Sequence, residues 1–117
     1  MWSMDAERGP LTQMRRGVVE YCVLALLSRR EQYGLELISV LTRHDLIAGE
    51  GTVYPLLSRL SKQGLVESTW QESPAGPPRR YYKVSDEGAA AVERFARDWA
   101  QLSKSVDQIL AGEAESA

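Results

Sequence analysis

One cysteine and one histidine are all that the 117 residues contain of those types. Cys22 alone excludes an internal disulfide framework, and Cys22 with His44 is too small a set for a zinc site. A chain without disulfides suits a reducing compartment, so a cytoplasmic location is expected. Long apolar runs are missing as well. Residues 21–27 form the longest, far short of the roughly 18 residues that mark a membrane span. Arg15 and Arg16 precede the apolar residues 18–27 in the manner of a secretory signal. Glu20 interrupts that stretch, however, and Arg29-Arg30-Glu31 stands where small residues should mark cleavage, so a buried helix is the expectation. No acid–base–nucleophile set is apparent, because Cys22 and His44 fall on different predicted helices. Neither an enzyme nor a cofactor or metal site is expected.

Hydrophobic residues at 44% and a length of 117 suit one domain with a real core. The formal net charge of −2 conceals a division. Residues 8–85 carry 11 Lys/Arg against 7 Asp/Glu, whereas residues 86–117 carry 3 against 7. A polyanion would meet the first two-thirds of the chain and be repelled by the last third. Charge fluctuates along any sequence, so the local pattern must carry the case.

Residues 1–10 have no period and read as a flexible arm. Over 11–28, Leu11, Met14, Val18, Tyr21, Cys22 and Ala25 follow helical spacing. Val19, Val23, Leu24, Leu26 and Leu27 widen that stripe, which predicts a central helix covered on several sides. Residues 29–32 form a polar break. Tyr33-Gly34 opens a second helix, about 35–44, with Leu37, Ile38 and Leu41 on one face. A third helix is predicted over about 50–63 and stopped by Gly64. Pro55 leaves two starts open: Thr52 caps the helix with Pro55 in its first turn, or an earlier start is bent. Residues 65–72 alternate as a strand, 73–78 form a turn with three prolines, and 79–84 return as a second strand. Ser85, followed by Asp86 and Glu87, caps a last helix that runs to about residue 111.

Helix, helix, helix, hairpin, helix is a mainly α chain with a small β-hairpin. It predicts a winged helix-turn-helix over 11–84, a long C-terminal dimerisation helix over 85–111, and a flexible tail over 112–117. On the third helix, Val53, Leu56, Leu57 and Leu60 form the core side. Thr52, Pro55, Arg59 and Lys62 turn outward, with Tyr54 and Ser58 at the flank. Those hydroxyls and cations suit phosphate oxygens, and Arg59 suits a guanine edge, although a solvated surface would have a similar make-up. Arg79 and Arg80 near the proline turn offer a second contact or a charged, aggregation-resistant edge. Arg15 and Arg16 are either a third contact or plain surface.

Val92, Phe95, Trp99, Leu102, Val106 and Ile109 recur at alternating steps of three and four, the seam of a helix that packs along another helix. Some 25 residues at about 1.5 Å each reach about 38 Å, longer than the head can cover. A homodimer covers the stripe most simply, with packing against the first helix of the same chain as the alternative. Two heads then imply a palindromic DNA operator. A winged helix that binds protein instead of DNA is the competing function.

Four segments together carry a resemblance: Tyr33-Gly34-Leu35-Glu36-Leu37, Gly51-Thr52-Val53-Tyr54-Pro55-Leu56-Leu57-Ser58-Arg59-Leu60, Gly64-Leu65, and Arg80-Tyr81-Tyr82-Lys83-Val84-Ser85-Asp86-Glu87-Gly88. In that order they resemble the PadR family of bacterial transcriptional regulators, over about residues 11–110. The resemblance implies a homodimeric winged-helix repressor of the small subgroup with one C-terminal helix. Thr52, Tyr54 and Arg59 then become DNA contacts, with Arg79 and Arg80 as the wing contact. Gly49 departs from the polar residue that often begins the recognition helix. Some small members hold planar aromatic molecules between paired tryptophans of their last helices. By that likeness Trp99, with Phe95 and Val18, is the expected site of a planar aromatic effector, or else an interface aromatic without a ligand.

Overall fold

The computed structural model describes residues 10–113. Apart from Pro10, Gly112 and Glu113, the expected arm and tail lie outside the described residues. Helix α1 spans Pro10–Arg29, one residue beyond expectation at each end. It packs Val19, Val23, Leu24 and Leu27 into the core. Leu11 and Met14, at the start of the expected stripe, are more than half exposed. The helix is therefore covered along its C-terminal half and bare at its N-terminal end.

A two-residue strand, β1 (Gln32–Tyr33), follows where the sequence suggested only a polar break. Gln32 is buried, and its Nε2 donates to the Leu26 carbonyl at 2.9 Å. That carbonyl is among the four that α1 leaves without a helical partner, so the burial of a polar side chain is offset. Glu36 accepts from the Tyr33 N–H at 3.1 Å and ties the start of α2 (Gly34–Arg43). Leu37 and Leu41 are the buried face of α2. Asp45 ends it with a φ of 59°, a left-handed position more often filled by glycine, which turns the chain toward α3.

The start of the third helix takes the first of the two forms read from the sequence in position, with Thr52 at the N-cap and Pro55 in the first turn. Glu50–Thr52 is a 3₁₀ turn, and helix α3 proper is Val53–Lys62. Thr52 makes no side-chain cap. Pro55 is the third residue of α3, where a missing N–H breaks no helical bond. Gly64, at φ 76°, closes the helix with its N–H on the Ser61 carbonyl, while the Leu65 N–H returns to the Leu60 carbonyl.

Strands β2 (Val66–Ser73) and β3 (Gly76–Val84) form the hairpin around Pro74-Ala75. Strand β3 begins three residues earlier than expected and includes Pro77 and Pro78. β1 pairs with β3 only at Tyr81 and Tyr82, so further out β3 has a free edge, and the register is irregular between Gln71 and Ser73. Proline is tolerated in both settings. The sheet order is β1-β3-β2, antiparallel throughout.

Helix α4 (Asp86–Leu110) starts as expected. The Ser85 Oγ accepts from the Gly88 N–H at 3.1 Å and donates to the Gly64 carbonyl at 2.7 Å. Its first turns join the core through Ala91, against a cluster that also includes Leu24, Leu37, Leu57, Leu60 and Val66.

Candidate nucleic-acid interface

Helix α3 buries Val53, Leu56, Leu57 and Leu60, so 3.6-residue periodicity turns the remaining positions away from the core. The structure divides these outward residues between two concavities. On one side Tyr54, Ser58, Ser61 and Lys62 meet Arg80 and Tyr82 of β3, enclosing a groove of about 320 Å³. On the other, Thr52, Pro55 and Arg59 face Thr12, Arg15 and Arg16 of α1 across a cleft of about 700 Å³. Among the described residues no carboxylate lines either one.

The two wing arginines also separate. Trp70 pairs with Arg80 and Ser68 with Tyr82, on the sheet face whose Val66 and Tyr82 are buried. Arg80 Nε donates to the Ser68 Oγ at 3.0 Å, and its guanidinium lies 5.8 Å from the Trp70 ring and 5.9 Å from that of Tyr82. Two rings and a hydroxyl thus restrict its rotamers beside the groove. Arg79 alternates to the opposite face, where it sits 4.5 Å over the Tyr33 ring. Lys83 pairs with Glu67 at 3.6 Å.

The sequence groups Lys62 with Thr52, Pro55 and Arg59, with Tyr54 and Ser58 at their flank and Arg80 as a separate wing contact, whereas the fold brings Tyr54, Ser58, Lys62 and Arg80 together. Sequence reasoning overlooked Ser61, which stands three residues after Ser58 on the same flank and was within reach of helical spacing. It also overlooked Glu20, whose carboxylate lies 3.9 Å from the Arg59 guanidinium. Thirty-nine positions of sequence separate that pair, and no local pattern joins them.

The seam of α4 divides as well. Val92 packs against the core, and Phe95 stacks on Tyr21 of α1 with centroids 4.4 Å apart and planes 4° from parallel. Trp99 continues the row, 5.9 Å from Phe95, and is 47% exposed. Leu102, Val106 and Ile109 beyond it are bare. Val18, half-buried, lies one turn before Tyr21 on α1. Tyr21 is the member of this aromatic row that the sequence did not single out. Partial burial pushes the Cys22 thiol above its ordinary pKa, which disfavours the thiolate. Among the described residues no cluster of acids, His or Cys could hold a metal ion, and no helix is long and apolar enough to cross a membrane.

Three helices with an outward-facing third member, followed by a strand wing at its side, define a winged helix-turn-helix protein. A model of the transcriptional regulator PadR-like family matches residues 23–94, more than half of the chain. A transcriptional regulator of Mycobacterium tuberculosis is 30% identical over 107 residues, covering 92% of this chain and 96% of that protein. Among solved structures, a PadR-like transcriptional regulator from Bacillus cereus is 40% identical with a TM-score of 0.76, over 84% of this chain and 96% of the other. One from Eggerthella lenta is 33% identical with a TM-score of 0.78, over 91% and 93%. The chain belongs to the PadR-like family of transcriptional regulators, and it is a regulator rather than an enzyme.

Proposed function

We propose that this regulator is a cytoplasmic homodimeric repressor. It binds a palindromic DNA operator through α3 and the wing and is released by a planar aromatic ligand at Trp99. The observation that carries DNA binding is the groove in which Tyr54, Ser58, Ser61 and Lys62 converge with Arg80. Every one of those side chains can donate a hydrogen bond, Lys62 and Arg80 bring positive charge, and no acid is among the described residues that line the groove. Arg59, Thr52 and Pro55 extend the surface on the other flank, and Arg79 adds charge on the far face of the wing, over Tyr33.

Dimerisation rests on the bare stripe of α4. Trp99, Leu102, Val106 and Ile109 are each about half exposed or more, as are Leu11 and Met14 on α1. An apolar stripe of that length in water favours a second copy, with Val92 and Phe95 anchoring it to its own head. The ligand reading rests on Trp99 standing exposed at the end of an aromatic row.

A footprint on the DNA upstream of the chain's own reading frame tests the proposal. Two protected half-sites, about one helical turn or a multiple of it apart, are expected. Lys62→Ala and Arg80→Ala should weaken both. Duplex binding insensitive to salt, or sedimentation as a single subunit at micromolar concentration, would overturn it.

A further inference from the structure

We propose that the cleft between α1 and the first turns of α3 is a second phosphate-binding site, which grips the DNA strand opposite to the one beside the wing. This inference rests on the DNA reading of α3 given above. An α-helix with its side chains is roughly 10–12 Å across and the major groove of B-DNA roughly 12 Å wide, so a docked helix has a backbone strand along each flank. The wing groove, with Arg80 and Lys62, serves one flank. The α1 cleft is a second concavity along α3, and it opens on the other flank.

Its composition suits a phosphodiester. Arg15, Arg16 and Arg59 supply guanidinium groups, and Thr12 and Thr52 supply hydroxyls. Val19 and Leu56, both nearly buried, floor the cleft and give a deoxyribose an apolar surface. The Glu20 carboxylate lies 3.9 Å from the Arg59 guanidinium. Among the described residues Arg15 and Arg16 have no ion-pair partner, so their charge is available to a polyanion. These contacts read no base. They fix the register of α3 and add to the salt dependence of binding on every sequence.

The test is fluorescence anisotropy of the full chain with a mixed-sequence duplex of about 30 base pairs over a salt series, which needs no knowledge of the operator. Each phosphate contact contributes about 0.9 to the slope of log affinity against log salt. Arg15→Gln/Arg16→Gln should flatten the slope by roughly two such contacts per protomer and weaken binding about tenfold or more at moderate salt. Arg15→Lys/Arg16→Lys should restore the slope, with circular dichroism confirming that both variants fold. A glutamine variant with the wild-type slope overturns the second site alone. Equal losses in the lysine and glutamine variants overturn it too, since charge would then not be the cause. A wild-type chain with no salt-dependent duplex binding overturns this inference together with the DNA reading beneath it.

Discussion

The Arg59 guanidinium of α3 stands 3.9 Å from the Glu20 carboxylate of α1, an ion pair that joins the outward helix to the longest helix of the head. Arg59 is 55% exposed and Glu20 25%, so screening by water leaves the pair at most about 1 kcal/mol of stability. Its larger effect falls on DNA binding, because the carboxylate competes with phosphate oxygens for the same guanidinium. Glu20→Gln is expected to tighten binding to mixed-sequence duplex several-fold at low salt while barely moving the melting temperature. In an Arg59→Ala background the same substitution should do nothing. If the gain survives there, Glu20 acts through net charge alone and the competition does not exist.

Tyr54 lies across Gly34. A Cβ added at Gly34 would stand 2.5–2.7 Å from the Tyr54 ring carbons and hydroxyl, closer than real Cβ contacts come. Tyr54 is 46% exposed and its ring can swing outward, and Ala suits the first turn of α2 better than Gly does. Gly34→Ala should therefore alter stability by less than about 1 kcal/mol and still displace a ring that lines the wing groove. Unchanged melting with weakened duplex binding is the expected pair of results. Duplex affinity equal to that of the wild type would mean that the Tyr54 position has no bearing on DNA.

Gly88 has no such escape. A Cβ there would run into the Leu65 carbonyl and the Val84 side chain, both fixed where the wing returns to α4. The Ser85 N–H already donates to that Leu65 carbonyl at 3.0 Å, so the backbone is held on both sides. Gly88→Ala should destabilise the fold by roughly 2–3 kcal/mol, as overpacking at a rigid site does. A urea midpoint equal to that of the wild type would show that the α4 start can shift to make room.

How much of this was visible in the chain follows from the range of each signal. The core side of α3 was legible because Val53, Leu56, Leu57 and Leu60 repeat at 3.6 residues, and the Ser85 cap because its partner is three positions away. Strand β1 was not, since two residues carry no period, and Gln32 reads as a break until the Leu26 carbonyl beside it is known. Pro77 and Pro78 argued for a turn, and only the short reach of β1 shows why a strand accepts them. The outward side chains of α3 were legible as one side with Tyr54 and Ser58 at its flank, but their division between two concavities depends on where α1 and the wing lie. The α4 stripe likewise announced its width without showing that its cover ends between Phe95 and Trp99.

That end point decides what Trp99 can do. One face of Phe95 is taken by Tyr21 at 4.4 Å, and Trp99 follows 5.9 Å further along, so its indole can stack with something outside the chain's own head. A planar cationic dye should quench tryptophan emission on titration, with Trp2 and Trp70 as a constant background. Trp99→Ala should abolish the change. Val106→Asp places a charge in the bare stripe two turns beyond Trp99 and should shift the protein to single subunits in sedimentation. If two indoles sandwich the dye across a dimer axis, Val106→Asp loses the quenching together with the dimer. Quenching that persists in the dissociated variant would place the site within one chain, on the Tyr21–Phe95–Trp99 row. Emission that the dye leaves unchanged in the wild-type protein would remove the aromatic effector from the mechanism and leave Trp99 as an interface residue.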